Sequence, residues 1–482
     1  MKLKELLKNV PVVNMNADPE LEIDHVAYDS RKVQPGGMFI AISGFATDGN
    51  RFIPMALEKG AAVVVTAKAP EGDVPCVLVE SDRLALALIG RNFYGDPASS
   101  MKMIGVTGTN GKTSSTLLLK HVLETVLGAK VGLMGTMENM IGNESIPTER
   151  TTPESFELQA LLAQMRDAGC SHVIMEVSSH AIALERVAGL HYEVGAFTNL
   201  TEDHLDFHKT MEDYCDTKAE LFARCGYGVA NLDDSWYDRI TAKSTCNMLT
   251  YSAKGSADLF AKDLELLSDG VRFTAVNGGK EMEVCLPIPG KFTVYNALTV
   301  LGMALQLGIS LEDAAQALRT AKGVKGRVEV VPTPGKPYTV LIDYAHTPDG
   351  LENVLSSVKG FCKGRTIAVF GCGGDRDPIK RPIMGRIGTD IADISIITSD
   401  NPRTENPMAI IEDILKGIDS GKNNYEVIEN RPKAIHHAMD IAEKNDIIIL
   451  AGKGHETYQE ICGVKHHLDE REVVAAYLEE TR

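Results

Sequence analysis

Short, nearly unbroken apolar runs recur along this chain, each followed by a longer stretch in which apolar residues return at helical spacing. Runs of about four to eight residues rich in Val and Ile predict strands buried on both faces, and the periodic stretches predict helices that cover them. Residues 36–67 read as strand (GGMFIAIS), helix (RFIPMALEKG) and strand (AAVVVTA), and RNFYGDPASS at 91–100 ends in turn formers, as a linker would. A larger region follows, with strands in MKMIGVTG, AKVGLMGT, SHVIMEVSSH and YEVGAFTNL and a helix in TSSTLLLKHVLETVLG. Residues 258–290 carry short β-like runs, VYNALTVLGMALQLG returns to helix, and GVKGR at 323–327 is a hinge candidate. Strands then alternate with helices again, in YTVLIDYAHTP, RTIAVFGCGG, ADISIITSDNPR and DIIILAGKGHE. This alternation predicts an α/β protein with parallel sheets and ligand sites at the carboxyl ends of the strands. The polar motifs fall there.

Bulk properties narrow the class. A chain of 482 residues predicts about two to four domains. Lys and Arg number 49 against 66 Asp and Glu, a net charge of −17, which disfavours nonspecific binding to nucleic acid or to an anionic membrane. Any anionic ligand must therefore meet a local basic cluster. Nine cysteines without a C-x-x-C pair predict reduced thiols in a cytoplasmic protein. The N-terminus starts basic, but Lys8 and Pro11 break its apolar run, so it makes a poor signal peptide, and no run approaches a membrane span.

The stretch GVTGTNGKTSS, from Gly105, looks like a phosphate-binding loop, yet the position five before Gly111 is Val106, and Gly105 comes one residue early. Its strand–loop–helix setting still suits a phosphate: glycine backbone N–H groups and the helix N-terminus face the anion. Lys112 would neutralise the terminal phosphates and the Thr113 hydroxyl would bind Mg²⁺. Glu176, at the tip of the strand HVIME, is a second candidate ligand for Mg²⁺. TNLTEDHLDFH offers Asp203, His204, Asp206 and His208, but no further His or Cys spacing supports zinc. GCGGDRD resembles a dinucleotide fingerprint whose third glycine would fall at Arg376, so that reading fails. Arg376 and Arg403 instead point to carboxylate recognition, together with Lys453, Gly454 and Glu456 in AGKGHE.

Taken in order, GVTGTNGKTSS, TTPES, MEVSSHAIALER, TNLTEDHLDFH, PGKFTVYNA, IDYAHTPDGLE, GCGGDRD, SDNPR and AGKGHE resemble the Mur ligases of peptidoglycan synthesis over nearly the whole chain. The displaced glycine belongs to that family's form of the loop. The resemblance implies three domains: a small α/β UDP-binding domain (1–98), a central phosphate-loop ATPase with a mainly parallel sheet (99–326), and a Rossmann-like domain for the incoming amino acid (327–482). It is closest to the diaminopimelate-adding members, with the L-lysine-adding members as the alternative and other Mur ligases and folylpolyglutamate synthase behind them. A switch ATPase that forms no peptide bond, or a scaffold with no nucleotide dependence, are the readings from other classes.

The implied reaction is cytoplasmic. ATP phosphorylates the side-chain carboxylate of UDP-N-acetylmuramoyl-L-alanyl-D-glutamate, and the amine of meso-2,6-diaminopimelate attacks the acyl phosphate. Lys112, Glu176, His204 and Lys218 match the catalytic positions. Thr113, Glu176, His204 and Lys218 match the Mg²⁺ ligands, Lys218 as a CO₂-derived carbamate. Thr107, Gly108, Thr109, Asn110, Gly111, Asn296, Arg327, Asp343 and His346 match positions that handle ATP. Tyr28, Ser30, Phe45, Ala46, Thr47, Thr151, Thr152, Ser178 and Arg186 match the UDP-muramyl-dipeptide site; the family often has Gln two before that arginine, and here it is Leu184. Arg376, Asp400, Asn401, Pro402, Arg403, Gly452 and Glu456 match the diaminopimelate site. A monomer is expected, with neither nucleic acid nor membrane as partner.

Overall fold

The computed structural model describes residues 1–44, 47–148 and 150–481, apart from the side chain of Asp206. The chain forms two compact units, residues 1–260 with 298–314, and residues 261–297 with 315–482. The first unit holds two sheets with separate cores, so the chain carries three α/β regions.

The N-terminal sheet runs in the order Val12–Met15, Cys76–Val79, Val63–Thr66, Met38–Ala41, Val26–Ala27, and only its first strand is antiparallel. Val63, Val64 and Val65 are all fully buried. Alternate valines point to opposite faces, so an unbroken apolar run requires cover on both sides. The helix Asp82–Phe93 supplies cover on one face, where Ala85, Leu86 and Ile89 pack with Val63 and Val65.

The second sheet places Lys102–Thr107 at its centre, between His172–Glu176 and Tyr192–Phe197, all parallel. Val131–Met134 lies outside one neighbour, and Cys225–Asn231 then Asn247–Ser252 outside the other. Gly105 sits inside the central strand, where a Cβ would meet the Tyr192 ring at 3.0 Å and Leu221 at 3.2 Å. The early glycine is thus a packing residue of the strand, and the phosphate loop proper begins at Gly108. The helix Lys112–Leu127 follows the loop and stops at Gly128, whose N–H donates to the Glu124 carbonyl.

In the second unit, the strands Thr339–Asp343, Ile447–Ala451, Thr366–Phe370, Ile394–Ile397 and Tyr425–Val427 are parallel in that order, and Glu329–Val331 pairs antiparallel at one edge. Leu341, Ile397 and Ile449 pack into one core, while their neighbours Val340, Ile396 and Ile448 pack into another on the opposite face. The period-2 geometry of a strand converts each apolar run into two buried faces. The strand inserted between the first and the third, Ile447–Ala451, comes last of this sheet in the chain, so the loops at residues 371–377, 398–403 and 452–456 leave adjacent strand ends.

Candidate active site

Loop geometry in the first unit follows from the ends of three adjacent strands. Gly108 has φ +142°, and a Cβ there would meet Thr198 Oγ1 at 2.0 Å, so the tight approach to the neighbouring strand end admits only glycine. The segment 198–201 holds the loop in place. Thr198 Oγ1 donates to the Asn110 carbonyl at 2.7 Å, Asn110 N–H donates to Asn199 Oδ1 at 2.9 Å, and Thr109 N–H donates to the Asn199 carbonyl at 2.8 Å. Lys112 Nζ donates to the carbonyls of Gly108 (2.8 Å) and Thr109 (2.7 Å).

Glu176 is buried at the tip of the adjacent strand, in register with Val106. Its Oε1 accepts from Thr113 Oγ1 at 2.9 Å and from Thr136 N–H at 3.0 Å, and its Oε2 accepts from Thr136 Oγ1 at 3.0 Å. Thr113 and Glu176 therefore present a hydroxyl and a carboxylate side by side at the mouth of the loop. Among the described residues no three His, Cys, Asp or Glu side chains converge as a complete cage for a metal. Few protein oxygens fit Mg²⁺, which keeps waters and shares phosphate oxygens, better than they fit zinc or calcium.

Lys218 lies on the helix Met211–Ala219 and is 1% exposed, with Nζ donating to the Gly108 carbonyl at 3.0 Å and standing 4.5 Å from the centre of the Tyr214 ring. Burial first, and the Lys112 cation second, push its amine well below the ordinary lysine range. His204 is exposed with φ +53°, and its ring packs edge-on against His180 at 4.9 Å. No hydrogen bond among the described residues joins it to Glu176. His208, from the same motif, is buried instead, with Nε2 2.9 Å from Ser179 Oγ.

Beside Glu176 stand four of the residues expected to hold the muramyl peptide. Thr152 Oγ1 donates to the Glu176 carbonyl at 2.8 Å and lies 3.3 Å from Ser178 Oγ; Thr151 Oγ1 is 3.1 Å from Thr136 Oγ1; Arg186 Nη1 donates to the Thr152 carbonyl at 3.4 Å. Arg186 also pairs with Glu154 at 3.3 Å. Just past the strand Val26–Ala27, Tyr28 OH donates to Glu157 Oε1, and Ser30 Oγ lies 3.3 Å from the Met55 sulfur. Thr47 is exposed, while Phe45 and Ala46 fall outside the described residues.

The second unit holds the other expected residues. Asp343 ends its strand buried, with Oδ2 accepting from Val328 N–H at 2.8 Å, and burial raises its carboxyl above the usual range. Arg327 lies 5.6 Å from the Tyr344 ring, against which His346 also packs at 4.6 Å. Asn296 is buried on the helix Lys291–Gln306.

At the other strand ends of this unit, three loops interlock. Gly374 N–H donates to the Asn401 carbonyl at 2.9 Å and Arg403 Nη1 donates to the Gly374 carbonyl at 2.7 Å. Asn401 Nδ2 donates to Glu456 Oε2 at 2.9 Å, and Lys453 Nζ donates to the same oxygen at 3.1 Å. Gly452, at φ +119°, leaves space for Asp400, because a Cβ there would meet Asp400 Oδ2 at 2.7 Å. Pro402 is buried, and Arg376 lies exposed alongside, donating to the Asp375 carbonyl at 3.3 Å. Arg403 has a partner besides: Nε pairs with Glu460 at 3.2 Å, and its backbone N–H donates to the Glu460 carbonyl at 3.0 Å.

Glu460 and Thr136 have parts here that the motifs alone did not assign. Thr136 lies just past the end of a strand, in LMGT, which is the signal that could have found it. Glu460 belongs to a small hairpin, Tyr458–Ile461 with Val464–His467, whose sequence carries no comparable mark.

Comparison with known proteins matches the chain in three places: "Mur ligase family, catalytic domain" over residues 22–94, "Mur ligase middle domain" over 106–304, and "Mur ligase, glutamate ligase domain" over 326–454. The chain is 47% identical over 487 residues to the UDP-N-acetylmuramoyl-L-alanyl-D-glutamate--2,6-diaminopimelate ligase of Clostridium tetani, covering 100% of both. It is 46% identical over 486 residues to the ligase of the same name from Clostridium botulinum, again covering 100% of both. A solved UDP-N-acetylmuramoyl-L-alanyl-D-glutamate--2,6-diaminopimelate ligase matches with a TM-score of 0.78 at 32% identity, over 100% of this chain and 99% of that one.

Proposed function

The chain belongs to the Mur ligase family of ATP-dependent, ADP-forming ligases, and we propose that it joins meso-2,6-diaminopimelate to UDP-N-acetylmuramoyl-L-alanyl-D-glutamate. Full-length identity with ligases of that name supports the reaction. One geometric observation carries the choice of amino acid. Asn401 hydrogen-bonds Glu456 at 2.9 Å, two residues from Arg403, so a carboxylate and a guanidinium occupy interlocked loops. Diaminopimelate carries both opposite charges at its far end.

The residues divide the work as follows. A carboxylate is a poor electrophile because its leaving group would be oxide. Attack of the glutamyl carboxylate on the γ-phosphorus of ATP, with departure of ADP, supplies a better one. Lys112 neutralises the charge that builds as two anions approach. Thr113 and Glu176, with His204 and Lys218 as further ligands, would hold Mg²⁺, which offsets phosphate charge when bound. Thr151, Thr152, Ser178 and Arg186 orient the peptide, and Tyr28, Ser30 and Thr47, with Phe45 and Ala46, hold the UDP end. Asn296, Arg327, Asp343 and His346 complete the handling of the nucleotide. The diaminopimelate amine then attacks the acyl carbon, its nitrogen gives up a proton, and the tetrahedral intermediate expels phosphate as the C–O bond to it breaks.

Lys218 works in this scheme as a carbamate. Its buried neutral amine attacks CO₂, an N–C bond forms, and one proton leaves, so an uncharged amine beside the phosphate loop becomes an anionic oxygen ligand. The burial of an amine whose hydrogen bond goes to a carbonyl supports this. The division into domains 1–98, 99–326 and 327–482, a monomeric state and a cytoplasmic location are parts of the same proposal. No helix of the described residues is long and apolar enough to cross a membrane.

Arg403 and its partners set the test of substrate choice. The far carboxylate of diaminopimelate meets a guanidinium that Glu460 already orients through Nε. Lysine brings no such carboxylate, and sites built around a polar group reject analogues lacking it, here by at least about 100-fold. Arg403→Ala is expected to lose at least about 2 kcal/mol of diaminopimelate kcat/KM. It gains no lysine activity, because deleting a group that favours one substrate builds nothing for the other. Steady-state kinetics with both amino acids check this; preference of the wild type for lysine would overturn the choice of diaminopimelate.

A further inference from the structure

Lys453, in the loop between Gly452 and Gly454, is 0% exposed, and nothing in the reaction described above uses it. Its Nζ donates to Asn401 Oδ1 at 3.2 Å and to Glu456 Oε2 at 3.1 Å. A buried ammonium is held only where partners compensate for lost water. The other two cations nearby have carboxylates of their own. Arg403 pairs with Glu460 at 3.2 Å, and Arg431 pairs with Glu470 at 2.7 Å and stands 3.9 Å from Asp400. The charge that faces Glu456 is therefore that of Lys453. Both donors to Glu456, Lys453 and Asn401, take Oε2, and Oε1 accepts no hydrogen bond among the described residues, so one oxygen is pinned and the other is left for a ligand.

Resting on the reading in which Glu456 receives the far ammonium of the amino acid, we propose that Lys453 is a specificity-determining residue. Its cation cancels the charge of Glu456 before the ligand arrives. A far end that brings an ammonium and a carboxylate adds no net charge and is accepted. A far end with an ammonium alone, as in lysine, adds a second cation to a subsite that already holds one. Lys453 thus selects on net charge, beside the direct grip of Arg403 on the carboxylate. Taking that cation away favours a ligand of net charge +1 over a neutral one whatever their shapes, because the two differ by one unit of charge in the field of Lys453.

The test is the ratio of kcat/KM for L-lysine to that for meso-diaminopimelate, measured on the full-length enzyme with ATP, Mg²⁺ and the UDP-muramyl dipeptide. Lys453→Gln keeps a donor for Asn401 and Glu456 but has no charge, and its ratio is expected to rise by at least about tenfold. Lys453→Arg keeps the charge and is expected to hold the ratio within about threefold of wild type, since only charge enters the argument. KM for ATP is expected to stay unchanged in both. Should Lys453→Gln fail to fold, Lys453→Met, which is neutral and of similar length, is read in the same way. A neutral variant that lowers both kcat/KM values by one common factor, leaving the ratio unmoved, overturns this inference and assigns Lys453 to structure alone. Wild type preferring lysine would instead overturn the reading of the substrate on which it rests.

Discussion

Lys112→Ala is expected to yield a folded protein that has lost at least about 100-fold of its turnover in the complete reaction. The amine of Lys112 donates to two carbonyls of its own loop. The loop keeps its other ties, from Thr198 and Asn199 to Asn110 and Thr109, so the backbone outlasts the substitution. What disappears is the cation proposed to meet the terminal phosphates, at the step where two anions must approach. Phosphate release measured with all substrates present, beside a thermal melt, separates the two effects. Near-normal turnover in a folded variant would contradict the assignment of the phosphate loop.

Lys218→Ala is expected to be as inactive as Lys112→Ala but to respond differently to added anions. In the proposed scheme Lys112 acts through its cation, whereas Lys218 acts as a carbamate through its anion. Short carboxylates at millimolar concentration are expected to restore part of the activity of Lys218→Ala by occupying the vacated place, and to do nothing for Lys112→Ala. Activity equal to wild type, or an equal response of both variants to carboxylate, would exclude the carbamate.

Much of this architecture was legible in the amino-acid pattern because the parallel strands are buried on both faces. Val63–Thr66, Thr366–Phe370 and Ile447–Ala451 each read as an unbroken apolar run, and each motif follows such a run. The strand Val12–Met15 escaped notice because it is a largely exposed edge with little apolar contrast, and Val26–Ala27 is too short to carry a period. The hairpin at 458–467 escaped for the same reason: the strand Val464–His467 is exposed throughout, so Glu460 could not be connected to Arg403 from sequence.

Local motifs located the chemistry but not the partners. Thr113 and Glu176 are 63 positions apart and Asn401 and Glu456 are 55 apart, and parallel strand pairing, which no local window contains, is what brings each pair into contact. Lys453 is the sharpest case. The sequence groups it with Arg376, Arg403 and Glu456 but shows neither its burial nor its bond to Asn401, which lies 52 positions upstream. His204, which the resemblance puts among the metal ligands, packs its ring on His180, a contact between residues 24 positions apart that no local window contains.

The most direct measurement mixes the purified protein with ATP, Mg²⁺, UDP-N-acetylmuramoyl-L-alanyl-D-glutamate and meso-diaminopimelate, then repeats the mixture with each component left out. Phosphate release and product mass are followed together. The ligase account predicts one phosphate released for each UDP-muramyl tripeptide formed, with neither appearing when either co-substrate is withheld. Sustained phosphate release without the UDP-peptide, or release in the full mixture without a product of the summed mass less water, would contradict it.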